Sequence, residues 1–302
     1  MNKRDVTIVG GGIAGLTAAF FAARENLTTT IIDNQGVSGG VLINVDSIQN
    51  FPGFPDGISG YELGPMVAGQ ASASGAEFVF GSVMDIHQCE DGWELSGDFG
   101  SVVSTNLVVA TGSQPARLGV SNEEQLYGHG ISYCATCDGD FFRDEDVLIA
   151  GGGDAALDEA LVLAEIVNSL TIVHHGDSPT GSKATLARVQ VLPNVGMLTN
   201  SEIVGLNGDD VLIGASVRDE HGSIQDLDCT GLFVYVGSNP QTNLLQDWCE
   251  LDALGHVAVD DYMSTGVVGL YAVGDIRQRS SGLLLGSAAD GMTAARAIVA
   301  RN

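Results

Sequence analysis

The sequence predicts an α/β protein of two related domains, and three observations support this fold class. A glycine-rich turn at residues 10–15 follows a short β-branched strand and precedes an Ala-rich helix. The same arrangement recurs 141 residues later, where residues 147–151 repeat residues 6–10, which marks an internal repeat. The composition, with 41 glycines and 7 prolines, is typical of a folded chain with many tight turns. Together they predict two Rossmann-like three-layer dinucleotide-binding domains with β-meander insertions.

The first domain begins with this glycine turn. Gly10, Gly12 and Gly15 match the G-x-G-x-x-G pattern, and Asp33 ends the next predicted strand, as a dinucleotide-binding unit requires. The glycines allow the backbone to approach a pyrophosphate at the helix N-terminus, while the Asp33 carboxylate can accept hydrogen bonds from a ribose. The pattern therefore predicts a dinucleotide site in the first domain.

The second glycine turn is preserved, but the residues that follow it differ. The repeat aligns Asp33 with His174, so the second unit lacks the ribose-binding acid, which disfavours NADH. A site for NADPH would place arginines here to pair with the 2′-phosphate, whereas this loop offers His174, His175 and the more distant Lys183. The loop therefore disfavours NADPH as a cofactor, and the alternative that both histidines are ordinary loop residues stays open.

Each repeat continues into a meander of short strands and ends in a similar phrase, Gly-Ser-Gln-Pro at 112–115 and Gly-Ser-Asn-Pro at 237–240. Gly and Pro interrupt regular structure, so both phrases are candidate hinges. An apolar strand ending at Gly274-Asp275 then leads to a small-residue helix that returns the chain to the first domain. The predicted first domain comprises residues 1–115 and 245–302, and the second comprises residues 116–244.

A Cys-x-x-Cys pair, Cys134 and Cys137, is followed at once by Asp138. Two cysteines at this spacing can form a reversible disulfide, and the adjacent carboxylate offers a proton relay. The alternative, half of a zinc site, needs two further ligands at short, paired spacing. The remaining cysteines, at positions 89, 229 and 249, are isolated. The sequence therefore favours redox chemistry and predicts no metal site.

The overall charge restricts the partners. The formal net charge is -26, which repels nucleic acids and anionic membranes and opposes an acidic electron carrier unless a local basic patch is present. We expect no secretory leader, because residues 1–5 run straight into a predicted strand, and no apolar run approaches the ~18 residues of a membrane span. We therefore expect a cytoplasmic protein that binds neither membrane nor nucleic acid.

Several phrases together resemble the low-molecular-weight thioredoxin reductases over nearly the whole chain. They are residues 10–15, 39–40, 50–55, 110–112, 132–139, 151–153 and 272–275. The resemblance implies FAD in the first domain, a homodimer, and a cysteine pair that lies in the second domain yet reaches the flavin of the first. It also implies that Cys134 attacks the disulfide of a thioredoxin-like protein, that Cys137 faces the flavin, and that Asp138 is the acid–base partner.

The expected cofactor contacts fall into two sets. The residues expected to bind FAD are Gly10, Gly12, Ile13, Ala14, Gly15, Asp33, Asn34, Gly40, Leu42, Asn50, Val83, Ala110, Thr111, Gly112, Gly274, Asp275, Gly282 and Leu283. The residues that could hold a second nucleotide, a second FAD or another adenine nucleotide, are Gly151, Gly153, Asp154, Ala155, His174 and His175.

Departures from the family concern electron input. The family's His-Arg-Arg segment, with a further Arg four residues later, is replaced by His174, His175, Gly176 and Thr180, and its Arg-Gln near the last helix by Gly282-Leu283. We therefore expect a pyridine-nucleotide-independent member whose donor is ferredoxin or a second bound flavin. Three alternatives stay open: an oxygen-dependent dithiol oxidase, a non-catalytic flavin redox sensor, and a vestigial second nucleotide pocket.

Overall fold

The computed structural model describes residues 3–301, which divide into two compact units. Unit 1 contains the chain up to Gln114 and the chain from Asn239 onward, and unit 2 contains Pro115–Ser238. The chain therefore returns to unit 1 between Ser238 and Asn239, before the predicted boundary at 244/245. The reason is that Leu244 and Leu245 pack into the core of unit 1. The predicted outer limits, residues 1 and 302, lie outside the described residues.

Each unit begins with alternating strands and helices and continues into a run of consecutive strands. In chain order the strands are β1 (Arg4–Val9), β2 (Thr29–Asp33), β3 (Glu77–Phe80), β4 (Val83–Cys89), β5 (Gly92–Gly97), β6 (Gly100–Val109), β7 (Ser113–Pro115), β8 (Ile131–Ser132), β9 (Asp146–Ala150), β10 (Ser169–Val173), β11 (Val195–Leu198), β12 (Glu202–Asn207), β13 (Gly214–Arg218), β14 (Ile224–Asp228), β15 (Gly231–Val234), β16 (Ser238–Pro240) and β17 (Leu270–Ala272). The helices are α1 (Ile13–Arg24), α2 (Gly60–Ala73), α3 (Glu123–Leu126), α4 (Ala135–Asp138), α5 (Asp154–Leu163), α6 (Lys183–Val189) and α7 (Leu284–Arg301).

The sheet of unit 1 has the order β3-β2-β1-β6-β5-β4, and β17 also pairs with β6. β3, β2, β1, β6 and β17 run parallel, whereas β5 and β4 form an antiparallel extension. The last four residues of β1 are fully buried, as expected for a parallel strand covered on both faces. The first meander therefore extends the main sheet rather than forming a separate one.

Helices α1 and α7 cover one face of this sheet and pack closely on each other. Their contact is lined by small residues, among them Ala14, Ala18 and Ala294. A Cβ atom at Gly291 of α7 would collide with the Ala14 carbonyl oxygen of α1. The other face carries a second apolar cluster around Trp93, whose ring packs edge-on against Trp248. The result is the predicted three-layer arrangement.

Unit 2 repeats the parallel core with a different insertion. Its main sheet has the order β11-β10-β9-β15-β8, all parallel, with α5 following β9 as α1 follows β1. The second meander, β12-β13-β14, forms a separate antiparallel sheet. These observations confirm the predicted α/β class with two Rossmann-like units. No helix within residues 3–301 has the length and apolar character to cross a membrane.

The close approach of α1 and α7 gives a stability prediction. Gly291→Ala should lower the free energy of unfolding by about 1–3 kcal/mol, because the added methyl group overpacks the helix contact. Gly69→Ala is the matched control, since Gly69 lies in α2 with no atom within 4 Å of a Cβ at that position, and it should be neutral or slightly stabilising. Urea unfolding measures both; equal effects would contradict the packing argument.

Candidate active site

The glycine turn of unit 1 packs closely against the backbone that follows β6. Gly10 has φ +108°, and a Cβ there would collide with the Ala110 carbonyl oxygen. A Cβ at Gly15 would collide with the Gly10 carbonyl oxygen, whereas Gly12, the residue before α1, has no atom within 4 Å of a Cβ. Gly15 therefore packs α1 against the turn, and Gly12 leaves the helix N-terminus accessible.

A cleft of about 440 Å³ opens at the carboxyl ends of β1, β2 and β6. Of the residues expected to bind FAD, those that line it are Gly10, Gly12, Ile13, Ala14, Asp33, Asn34, Gly40, Leu42, Val83, Ala110, Thr111, Gly112, Gly274, Asp275, Gly282 and Leu283. Gly15 lies behind the turn, and Asn50 is exposed outside the cleft lining. The topology thus gathers distant residues at one edge of the sheet.

The cleft also contains residues that the sequence argument missed. Gln241 and Leu244 line it, and the Thr111 hydroxyl donates a hydrogen bond of 2.5 Å to the Gln241 carbonyl oxygen. Both were assigned to the second domain, so their position beside the first site was not expected. Further lining residues include Gly11, Gln35, Gly39, Ser113, Gln114 and Ser287. The signal that could have placed Gln241 and Leu244 in unit 1 was their position directly after the Gly-Ser-Asn-Pro phrase at residues 237–240.

Asp33 provides a test of whether the cleft fits FAD. Its Oδ2 atom is buried and has no hydrogen-bond partner. Burial raises the pKa of Asp33, while backbone N–H groups of Gly11, Asn34 and Gln35 lower it. A buried acceptor without a donor carries a free-energy cost that a ribose hydroxyl would relieve. The residues present therefore fit the ADP-ribosyl half of FAD.

Asp275 stands on a turn that is held by a buried ion pair. Arg277 donates two hydrogen bonds, of 2.6 and 2.8 Å, to the Asp290 carboxylate, and the Gly274 N–H adds a third at 3.1 Å. Hydroxyls of Ser113, Ser280 and Ser287 approach the Asp275 carboxylate only at 3.3–3.4 Å. Asp275 is thus fixed in position yet weakly bonded, so it can accept hydrogen bonds from a polar ligand chain.

In unit 2, Cys134 and Cys137 are joined by a disulfide. Cys134 precedes the short helix α4 and is half-buried, whereas Cys137 is exposed. The Cys137 N–H lies 3.1 Å from the Cys134 sulfur, and the Ala135 N–H donates to the Tyr235 hydroxyl at 2.9 Å. Because an N–H donor favours the charged form of an acceptor, this backbone would stabilise a thiolate on Cys134 after reduction.

Ser132 connects the Asp138 carboxylate to the cysteine backbone. Its hydroxyl lies 2.6 Å from Asp138 Oδ2 and 3.2 Å from the Cys134 carbonyl oxygen, and it accepts the Cys134 N–H at 3.0 Å. When Asp138 is ionised, the hydroxyl can donate to it. When Asp138 is protonated, the carboxyl can donate to Ser132, whose proton can turn to the carbonyl. Ser132 therefore satisfies either protonation state of Asp138.

The other cysteines lie apart from this chemistry. Cys229 is buried, and burial raises its pKa to about 12. Burial also raises the pKa of Cys249. Since the thiolate is the reactive form, neither is activated at neutral pH. The described part of the chain contains no group of three or more His, Cys, Asp or Glu residues that could hold a metal ion.

The second glycine turn retains the backbone geometry of the first. Gly151 has φ +132°, and a Cβ there would collide with the Tyr235 carbonyl oxygen. Gly153 precedes α5 and has no atom within 4 Å of a Cβ. Asp154 and Ala155 open α5, and Asp154 Oδ1 accepts the Ser182 N–H at 2.6 Å. There is space beside Gly153 itself, while Gly181 packs against the Gly153–Asp154 backbone and the Asp154 carboxylate stands beside the turn.

The two adjacent histidines after β10, His174 and His175, have different environments. His174 is 3% exposed, while His175 is exposed, and their ring centroids are 4.7 Å apart. Gly176 and Thr180 add no charge at the other two positions where arginines would hold a 2′-phosphate. The first histidine is therefore part of the interior of this corner rather than a surface loop residue.

Two dinucleotide-type units, one with an acceptor-lined cleft and the other with a surface disulfide, define a flavin-dependent disulfide oxidoreductase. Residues 4–295 match the pyridine nucleotide-disulphide oxidoreductase family. The chain is 36% identical over 294 residues to the thioredoxin reductase of Treponema pallidum, with 97% of this chain and 95% of that protein covered. It belongs to the low-molecular-weight thioredoxin reductase family.

Two further relatives agree. The thioredoxin reductase of Streptomyces coelicolor is 37% identical over 304 residues, with 97% of this chain and 92% of that protein covered. The crystal structure of Lactococcus lactis thioredoxin reductase superimposes with a TM-score of 0.94 at 32% identity and covers 98% of both chains. The family resemblance expected from the sequence is confirmed, while independence from pyridine nucleotides stays a prediction.

Asp33 gives a test of the cofactor site. Asp33→Ala should weaken FAD retention about tenfold or more, because a hydrogen bond to a charged group contributes about 1.5–3 kcal/mol. Asp46→Ala, which removes an exposed carboxylate of the same unit, should leave retention unchanged. The FAD absorbance per chain after dialysis measures the effect, and equal retention in both variants would exclude Asp33 from the site.

Proposed function

We propose that this protein reduces the disulfide of a thioredoxin-like protein through Cys134 and Cys137, with Asp138 as proton donor and acceptor. The observation that carries the proposal is the disulfide itself, formed at the surface of unit 2 beside the hydrogen-bonded Asp138 and Ser132. Membership of the thioredoxin reductase family supports the choice of substrate. We also propose that the protein is a cytoplasmic homodimer.

The first step concerns how the cysteine pair becomes a dithiol. When bound, FAD supplies a two-electron reductant for the disulfide. In unit 1, Asp33 would hold its ribose, the turn at Gly10 and Gly12 would face its pyrophosphate, and Asp275 would accept hydrogen bonds from its ribityl chain. We infer that this cofactor reduces the cysteine pair of unit 2, with Cys137 as the cysteine that exchanges electrons with the flavin.

The dithiol then reduces its partner by exchange. The Cys134 thiolate attacks one sulfur of the partner disulfide, which forms a mixed disulfide and releases the other partner sulfur as a thiolate. The Cys137 thiolate next attacks the Cys134 sulfur, which restores the Cys134–Cys137 disulfide and releases the second partner sulfur. The partner gains two electrons and two protons, and the cysteine pair is oxidised because it loses the same two electrons.

These proton transfers require an acid and base near the sulfurs. Asp138 directly follows Cys137, and its carboxylate is oriented by the 2.6 Å hydrogen bond from Ser132. Because Ser132 can bond with either form of the carboxyl group, Asp138 can lose and regain a proton without leaving a buried polar group unpaired. Ser132 is therefore a positioning residue for Asp138.

We further propose that NADPH is a poor electron donor. The positions at which the family pairs the 2′-phosphate hold His175, Gly176 and Thr180. The same loop carries Asp177, and Asp154 stands at the start of α5. A phosphate dianion would therefore meet carboxylates without the bidentate arginines that normally compensate them. Ferredoxin or a second bound flavin is the alternative donor.

Asp138→Asn tests the proton role. Single-turnover reduction of an oxidised thioredoxin by the chemically reduced enzyme should slow by about a hundredfold or more, while FAD content stays unchanged. Asp140→Asn is the matched control, because Asp140 is exposed and pairs with Arg143; it should react at the wild-type rate. Full activity of the Asp138 variant would exclude the proposed role.

Anaerobic mixing of the FAD-loaded protein with NADPH tests the donor. The absorbance of the oxidised flavin should decay slowly or not at all. Rapid decay would contradict the proposal. Reduced ferredoxin forms a second arm, and oxygen uptake driven by a small dithiol forms a third; rapid uptake would identify a dithiol oxidase instead of a reductase.

A further inference from the structure

The ribose corner of unit 1 consists of one acceptor beside the middle glycine of the turn. A Cβ at Gly11 would collide with Asp33 Oδ2, which is buried and without a hydrogen-bond partner. The Gly39 N–H donates to the Gly11 carbonyl oxygen at 2.9 Å and closes the loop over the turn. An unpaired acceptor in this position is suited to a ribose hydroxyl.

The same corner recurs in unit 2, with each residue number raised by 141. A Cβ at Gly152 would lie 2.6 Å from His174 Nδ1, and this nitrogen is also buried and unpaired. The Thr180 N–H donates to the Gly152 carbonyl oxygen at 2.8 Å. Within residues 3–301, five buried side-chain nitrogen or oxygen atoms lack a partner, and these two corners hold two of them. An unpaired buried acceptor at the same place in both units indicates that unit 2 retains a nucleotide site.

The hydrogen bonding of His174 determines what its free nitrogen can do. Its Nε2 lies 3.0 Å from the Ser178 carbonyl oxygen, which only accepts, so Nε2 carries the proton. Burial and the neighbouring His175 lower the pKa of His174, while the hydrogen bond to Ser178 and the charge of Asp177 oppose this. The ring is therefore neutral at pH 7, and Nδ1 presents a lone pair as a hydrogen-bond acceptor.

We propose that unit 2 binds an adenine dinucleotide whose adenosine ribose carries free hydroxyls, and that His174 Nδ1 accepts a hydrogen bond from one of them. Gly153, which has no atom within 4 Å of a Cβ, and the N-terminus of the ten-residue helix α5 lie on the same turn beside Gly181, where they can receive the pyrophosphate. The role of this nucleotide as an electron donor rests on the proposed function. Its binding does not, because binding is measured directly.

The same corner rejects a 2′-phosphate. A phosphate dianion has no proton to donate to Nδ1, so two acceptors would face each other. The carboxylates of Asp154 and Asp177 add repulsion, and Thr180 supplies no positive charge. The site therefore favours dinucleotides with a free 2′-hydroxyl, the class to which NADH and FAD belong, over NADPH. The missing acid at position 174, which counted against NADH in the sequence, is replaced by a neutral acceptor.

A pair of probes that differ only in the 2′-phosphate tests this selectivity. ADP-ribose and its 2′-phosphate are titrated by calorimetry into protein that carries one FAD per chain and has been freed of unbound FAD, so that unit 1 is filled and unit 2 is not. ADP-ribose should bind at least tenfold more tightly. Equal affinities, tighter binding of the phosphorylated probe, or no binding of ADP-ribose would each overturn the inference. Competition by NADH or by excess FAD then identifies which dinucleotide the site prefers.

Variants locate the binding at His174. His174→Ala should weaken ADP-ribose binding at least tenfold, whereas His175→Ala, the exposed neighbour, should leave it unchanged. Thr180→Arg adds a cation at an exposed position and should strengthen binding of the 2′-phosphate probe at least tenfold, a gain that misfolding cannot produce. Failure of both His174→Ala and Thr180→Arg to change binding would overturn the assignment. Loss of thioredoxin reduction with ADP-ribose binding intact would overturn the proposed function alone.

Discussion

The close approach of backbone at the two glycine turns is the constraint on which the rest of the structure depends. A side chain at Gly10 or Gly151 would collide with the carbonyl oxygen of a neighbouring crossover segment, Ala110 or Tyr235. Glycine removes that conflict and tolerates the positive φ of the turn. The helix N-terminus can therefore lie at the carboxyl edge of the sheet, which is where both nucleotide corners form.

Within this shared frame the two units differ through a few side chains. Asp33 gives the first corner a carboxylate, whereas His174 gives the second a neutral acceptor in the same place. The second unit also carries the disulfide, held by Tyr235 through Ala135 and by Ser132 beside Asp138. One scaffold thus supports a cofactor cleft in one copy and thiol chemistry in the other, because specificity depends on the residues at the strand ends.

Most of the fold was predictable from the sequence, since strand, glycine turn and helix recur with the period of an internal repeat. The crossing before Asn239 was less accessible, because the apolar residues Leu244 and Leu245 fit either domain until their packing is known. Asn50 and Gly15 are further examples, because both were expected to contact the cofactor but neither lines the cleft. A motif names residue types but does not reveal which side chains face a cleft and which face the core.

The sequence by itself determined the family, the repeated fold, the redox pair and the loss of arginines from the second unit, because each is written in local patterns of residue type and spacing. The tertiary structure decided which groups act together. It brought Gln241 to the first cleft, joined Ser132 to Asp138, and buried His174 with Nδ1 free of a partner. These features depend on contacts between residues distant in sequence and on burial, which hydrophobic periodicity and motif spacing do not encode.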